Sequence, residues 1–265
     1  MSRYRLNWYE LEESDSGDWL VKFPLGDTYS KFIDQAFPEF SHIGWRPSSK
    51  GVCYTYIKGA SSQKIKRLRD FLDLLKQILV LRLNKNLEAY FEDELDQCFA
   101  LDFNLEDPET YTGAGSLEYQ AKYNEDRKSA DKLAELLATV CSLHPNLRNV
   151  DHITAVPGNP GKSFHLPDIL VKKMGKHLER DVGLNLGKTK KTPQLKNLSF
   201  ADKVKALKGV YSLGEDVQDQ TILLIDDLYQ SGTTMWTLAK FLKENGAESV
   251  YGLACVKSWR DSDNI

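Results

Sequence analysis

Two adjacent carboxylates, Asp226 and Asp227, stand five residues ahead of the run Ser231-Gly232-Thr233-Thr234. The second group reads as an anion cradle. Its glycine lets backbone come close to a ligand, its hydroxyls can donate, and the helix that begins there offers N–H groups with no partner inside the helix. A carboxylate pair and a phosphate site therefore lie side by side.

The flanking residues supply the elements that position this chemistry. Ile222, Leu223, Leu224 and Ile225 form the short apolar run of a strand buried on both faces of a parallel sheet, ended by the two acids. Ligands of open α/β sheets bind at the carboxyl ends of such strands. Leu238, Phe241 and Leu242 fall at helical spacing, and Asn245-Gly246 is a helix stop. A second strand, Val150 to Val156, runs into the loop Pro157-Gly158-Asn159-Pro160-Gly161-Lys162, and a helix is predicted from Leu166 to Leu178. Its glycines give access and Lys162 gives charge, so a second ligand loop belongs there. Between the two motifs lies a lysine-rich segment with Lys188, Lys190 and Lys191, followed by a helix predicted from Ser199 to Leu207.

The pattern of four apolar residues, two acids, three variable residues and then Ser-Gly-x-Thr resembles the signature of type I phosphoribosyltransferases, which use phosphoribosyl pyrophosphate (PRPP). The resemblance implies that Asp226 and Asp227 are the catalytic acids on the ribose hydroxyls. It also implies that Gln230, Ser231, Gly232, Thr233 and Thr234 take the 5′-phosphate. Pro157, Gly158, Asn159, Gly161 and Lys162 then take the pyrophosphate, and Lys188, Lys190 and Lys191 belong to a mobile basic loop that closes over PRPP. Mg²⁺ is expected mainly through the substrate, with Asp226 and Asp227 as its protein contacts. The acceptor is a nucleobase or related heterocycle. Thr192-Pro193-Gln194, the Leu-Ser helix with its basic residue and Gly209-Val210-Tyr211 resemble the competence-protein F (ComF) branch, as does Leu117 to Tyr123. The N-terminal cysteine module of many such relatives is absent, and Ser163-Phe164-His165-Leu166 replaces their Gly-Phe-Asn-Gln.

The whole chain is compatible with this reading. At 265 residues it is long enough for two modest domains, and we expect an α+β domain over 1–105 ahead of a doubly wound, mostly parallel α/β domain over 106–265. The net charge of −3 gives no global pull toward nucleic acid. Residues 162–208 nevertheless carry twelve Lys or Arg against four Asp or Glu, so the rest of the chain is near −11. Cys53, Cys98, Cys141 and Cys255 are widely spaced and read as buried thiols of a reducing cytoplasm. No signal peptide or membrane span is expected, because the apolar stretch Phe71 to Leu83 is broken by Asp73, Lys76 and Arg82. His42, His144, His152, His165 and His177 form neither a Ser-His-Asp set nor a metal cluster.

The first hundred residues lie outside the resemblance. Strands are expected from Arg3 to Leu11 and Asp18 to Phe23, a helix from Asp27 to Phe37, and a hairpin across Ile43 to Ile57. Trp8, Trp19, Trp45, Tyr54 and Tyr56 serve either as core or as a stacking platform for a nucleic-acid partner, with a protein partner equally open. Helices are expected over Ser61 to Leu83 and Leu87 to Leu95. A homodimer is compatible with all of this. Two other functions compete with transfer. One is PRPP or nucleotide sensing, or DNA processing or defence, on the same fold. The other is a nucleotide-binding P-loop at Gly161-Lys162-Ser163, opposed by Val156 where that motif needs glycine.

Overall fold

The computed structural model describes residues 4–24, 27–48, 50–161, 163–195 and 198–260. It forms two compact units, one of Met1–Leu79 with Val140–Asn149, the other of Val80–Thr139 with Val150–Ile265. The chain thus changes unit well before residue 105, the division expected from composition.

In the first unit, β1 (Glu10–Glu13) and β2 (Trp19–Pro24) are antiparallel, with Glu10 opposite Lys22. Then come α1 (Asp27–Ala36), β3 (Ser41–His42), β4 (Arg46–Pro47), β5 (Val52–Lys58) and α2 (Ser62–Gln77). The sheet runs β1-β2-β5-β3, with β4 also on β5. Strict alternation buries Val21, Phe23, Cys53 and Ile57, as expected of a sheet with one face inward. Helix α2 starts at its Ser61 cap and buries Leu68, Phe71, Leu72 and Leu75. Each such side chain stabilises the unit by about 1.5–3 kcal/mol before entropy is counted. Trp45 packs on Phe23 at 5.1 Å, while Trp8 is exposed.

The second unit contains β6 (Leu79–Leu81) from Val80 on, β7 (Gln97–Phe103), α3 (Gly113–Tyr123), α4 (Arg127–Leu143) as far as Thr139, β8 (His152–Ala155) and α5 (Leu166–His177). It continues with β9 (Leu186–Lys188), α6 (Phe200–Leu207), β10 (Tyr211–Leu213), β11 (Thr221–Tyr229), α7 (Thr233–Glu244) and β12 (Ser249–Lys257). The chain is α/β. Its main sheet runs β6-β7-β12-β11-β8, and β7, β12, β11 and β8 pair in parallel. Ile222 to Ile225 and Leu253 to Val256 are fully buried, the near-continuous apolar strands that a parallel sheet demands. Strands β9 and β10 make a separate antiparallel ribbon.

Several sequence expectations change here: the helix expected over Ser61 to Leu83 stops at Gln77, after which Leu79–Leu81 takes up a strand, and the first strand is Glu10–Glu13 rather than Arg3 to Leu11. No helix covers Leu87 to Leu95: only a 3₁₀ turn, Lys85–Leu87, forms after the Asn84 cap. The Glu94 carboxylate accepts the Glu92 N–H and binds Lys240 at 2.9 Å, while Asp96 binds Lys243 at 3.0 Å. These acids are committed to backbone and to α7, which competes with a helix of their own. Asp226 and Asp227 do not end their strand, since β11 pairs on with β12 as far as Tyr229 opposite Lys257. Among the described residues no helix is long and apolar enough to cross a membrane.

Candidate functional site

The acid pair becomes accessible because the strands differ in length. Strand β8 ends opposite Ile225, and Val156 donates its N–H to the Ile225 carbonyl at 2.9 Å. Beyond that point β11 keeps its β12 neighbour and loses the one on its other side. Pro157 and the following loop leave the sheet beside this overhang, one strand spacing, about 4.8 Å, away. Asp226, Asp227 and the loop after β8 therefore share one end of the sheet.

Asp226 accepts the Asp227 N–H at 2.9 Å. Burial and the neighbouring Asp227 charge push the Asp226 carboxyl up from 3.8 to about 8, against the opposing pull of Lys122 and Lys188. Asp227 instead faces an ammonium, with Lys122 Nζ 3.0 Å from Oδ2. The same Lys122 lies 3.2 Å from Glu118 on helix α3. Burial disfavours the charged form of Lys122, but the two carboxylates outweigh it and hold the ammonium above its ordinary range. For Glu118 burial outweighs the lysine, and its carboxyl is raised. This lysine bridge was not read from sequence, although Glu118 and Lys122 stand at the i, i+4 spacing of a helix pair.

The second motif sits on the turn from β11 into α7. Gly232 is the helix N-cap at φ 85°, ψ −9°, and it has no side chain to cap the first turn. Any Cβ there would overlap the Tyr229 hydroxyl, so both conformation and space require glycine. Ser231 Oγ lies 2.9 Å from Thr233 Oγ1, and both residues are buried. A recess of about 60 Å³ opens here, lined by Gln230, Ser231, Gly232, Thr233, Thr234 and Asp226 together with Lys203 of α6. That is room for about four waters or one anion of similar bulk. Lys203 is 2% exposed. It was foreseen only as the basic residue of a helix.

The loop after β8 is tied to the lysine-rich segment. Asn159 Nδ2 donates to the Thr192 carbonyl at 2.9 Å, and Oδ1 accepts from Thr192 N–H at 3.0 Å and Thr192 Oγ1 at 2.8 Å. The Asn159 side chain is thus engaged with protein. Gly158 lies against the His165 ring, so close that a Cβ would collide with it. Pro157 is buried and Gly161 is exposed at φ 80°; Lys162 lies outside the described residues. Helix α5 begins only at Leu166, with His165 at the N-cap position making no side-chain capping bond, so Gly161 and Ser163 do not lead straight into a helix as a P-loop requires.

Of the three lysines, Lys188 is half-buried on β9 with its ammonium 5.9 Å from the Tyr211 ring centre, and its charge acts on Asp226. Lys190 and Lys191 are exposed. Tyr211 is 7% exposed, and among the described residues its hydroxyl has no hydrogen-bond partner. Burial and the Asp226 charge hold that hydroxyl above its ordinary range.

Among the described residues no group of three or more His, Cys, Asp or Glu could cage a metal. The residues do fit a divalent cation carried by a substrate. Asp226 and Asp227 stand side by side at the sheet end, and one or two such carboxylates can assist a phosphate-bound Mg²⁺.

A mostly parallel α/β domain with its ligand-competent loops at the carboxyl ends of adjacent strands is the class that this geometry defines. The chain belongs to the phosphoribosyl transferase domain family, whose profile matches residues 127–259. Among solved structures it is similar to a hypoxanthine phosphoribosyltransferase from Staphylococcus aureus at 11% identity and TM-score 0.33, over 49% of this chain and 63% of that one. A hypoxanthine-guanine-xanthine phosphoribosyltransferase aligns at 14% identity and TM-score 0.29, over 47% and 60%. A hypoxanthine-guanine phosphoribosyltransferase from Bacillus anthracis aligns at 12% and 0.31, over 49% and 69%. The chain spans less than two thirds of the first two. No curated protein matches it.

Proposed function

We propose that this protein binds PRPP with Mg²⁺ and transfers its phosphoribosyl group to a nucleobase-like heterocycle, releasing pyrophosphate. The observation that carries this is one juxtaposition: the Asp226–Asp227 pair lies between the recess of Ser231 to Thr234 and the loop Pro157 to Gly161, all at one sheet end. In this reading the recess takes the 5′-phosphate, the loop after β8 takes the pyrophosphate, and the two acids hold the ribose hydroxyls. Bond breaking at the anomeric carbon builds positive charge on the ribose, and carboxylates held beside the ring stabilise it without reorganising. Lys122 fixes Asp227 for that task. Bound Mg²⁺ would neutralise pyrophosphate charge and favour its departure. Lys188, Lys190 and Lys191 would close over the phosphates. The likeness to the ComF branch and a cytoplasmic setting belong to the same proposal.

The test is calorimetry with PRPP and Mg²⁺, followed by pyrophosphate release against a panel of bases. Absence of binding, or binding unchanged in Asp226→Asn with Asp227→Asn, refutes the reading. Tight binding without pyrophosphate release on any base would leave a sensor rather than a transferase.

A further inference from the structure

Helix α3 brings a cation to the acid pair from outside the two ligand loops. Its N-cap Thr112 accepts the Gly115 N–H at 2.9 Å. A Cβ at Gly115 would strike the Asn104 carbonyl just past β7, so glycine lets the helix lie close on β7 and β12. Glu118 and Lys122 follow Gly115 at the spacing of one helix face, and β12 has β11 as its other neighbour. Three carboxylates gather there. Burial chiefly holds the Cys255 thiol of β12 well above its ordinary range, and the charges of Asp227, Glu118 and Asp226 each add to it. Lys122 meets two of them at once, 3.0 Å from Asp227 and 3.2 Å from Glu118, with the Tyr123 ring centre 5.9 Å from its ammonium. A free divalent ion approaching Asp227 would have to dislodge this ammonium or sit beside a like charge.

We propose that Lys122 is a resident counterion that keeps the acid pair shut to free divalent metal, and that it releases Asp227 to the substrate by shifting its hold to Glu118. Because the ammonium already touches both carboxylates, the exchange needs one contact to lengthen and no swing of the helix. The ribose hydroxyls give Asp227 the donors that Lys122 withdraws, and Glu118 keeps the buried ammonium paired. Lys122 and Glu118 are thus positioning residues that act through Asp227. They account for the segment Leu117 to Tyr123, which neither ligand loop uses. The inference deepens the PRPP reading and rests on it for the ligand that displaces Lys122; the exclusion of free metal is independent of it.

The experiment first titrates Mn²⁺, which shares the oxygen-ligand preference of Mg²⁺ and is read by electron paramagnetic resonance, into wild type, Lys122→Met and Lys122→Arg without PRPP. Removing one charge-assisted contact to Asp227 should let Lys122→Met bind Mn²⁺ about 10-fold more tightly than wild type. Lys122→Arg keeps the charge and should bind it as weakly as wild type. Calorimetry then titrates PRPP with Mg²⁺ into wild type and Glu118→Gln, which keeps the side-chain shape but removes the charge that receives Lys122. PRPP binding about 10-fold weaker, at unchanged Mn²⁺ affinity, is expected of Glu118→Gln. Equal Mn²⁺ affinity in wild type and Lys122→Met overturns the counterion role, and equal PRPP affinity in wild type and Glu118→Gln overturns the transfer to Glu118; either result leaves the PRPP reading standing. Tighter Mn²⁺ binding in Lys122→Met with no PRPP binding to wild type supports the exclusion of free metal and removes the PRPP reading. Should Lys122→Met fail to fold, Lys122→Gln, which keeps a donor beside the carboxylates without the charge, replaces it in the Mn²⁺ titration with the same two outcomes.

Discussion

Replacing Asp226 by Asn should make the protein more stable at alkaline pH while removing the ligand site. Asn keeps the shape and the oxygen that accepts the Asp227 N–H, so the change removes mainly charge. The folded carboxyl is raised from 3.8 to about 8 by burial and by Asp227. Folded protein therefore holds a proton that the unfolded chain has released across that interval. The stability this contributes is complete below about pH 3.8 and is lost as pH rises toward 8. Each pH unit is worth at most about 1.36 kcal/mol per proton, which puts the ceiling at roughly 6 kcal/mol. Asp226 keeps partial solvent access, and screening brings the expected gain to about 2 kcal/mol at pH 8.5, on the order of 4–8 °C in Tm. Urea unfolding of both proteins from pH 4 to 9 measures it: the curves should converge near pH 4 and separate steadily above pH 5. Parallel curves, or a variant that is less stable at pH 8.5, would refute the account of the acid pair as a strained, charge-rich site.

Gly232→Ala places a Cβ against the Tyr229 hydroxyl at φ 85°; a loss of about 1–3 kcal/mol in unfolding free energy and of phosphate binding is expected, measured by denaturation and calorimetry. Burial lowers His144 from 6.5 to about 3, so the folded state excludes a proton that the unfolded chain takes up. That stability is present above pH 6.5 and is lost as pH falls toward 3, whereas His144→Phe should flatten the acid limb in a pH series of urea curves. Asn159→Ala and Thr192→Val should be non-additive in PRPP affinity, with a coupling of roughly 1 kcal/mol in a double-mutant cycle, because Thr192→Val removes the Oγ1 bond, one of the three bonds that Asn159→Ala removes.

Much of the second unit is legible in the sequence because its signals are local. Ile222 to Ile225 declares a buried strand by composition, Gly232 declares a forced turn, and Leu238 with Leu242 declares the buried face of a helix. What escaped depends on partners distant in the chain. Gln97–Phe103 sits beside proline and glycine and reads as a junction, yet it is a core strand because Tyr251 pairs with Gln97 across 154 positions. Lys122 looks like half of a surface helix pair until β11 brings Asp227 within 3.0 Å. Lys203 is indistinguishable in sequence from its exposed neighbour Lys205, and only the packing of α6 on α7 turns it inward. Glu92 to Asp96 fails as a helix for the converse reason, since lysines of α7 take up its acids.

The Asn159–Thr192 clasp makes two loops behave as one part. Three hydrogen bonds from a single amide join the turn after β8 to the segment that follows β9. A lysine arm that swung alone would open and shut without disturbing the turn beneath it. In the proposed reading, a swing of the lysine segment would also shift the turn at Gly158 to Gly161 through this clasp, so closing over PRPP and holding its pyrophosphate would be one movement.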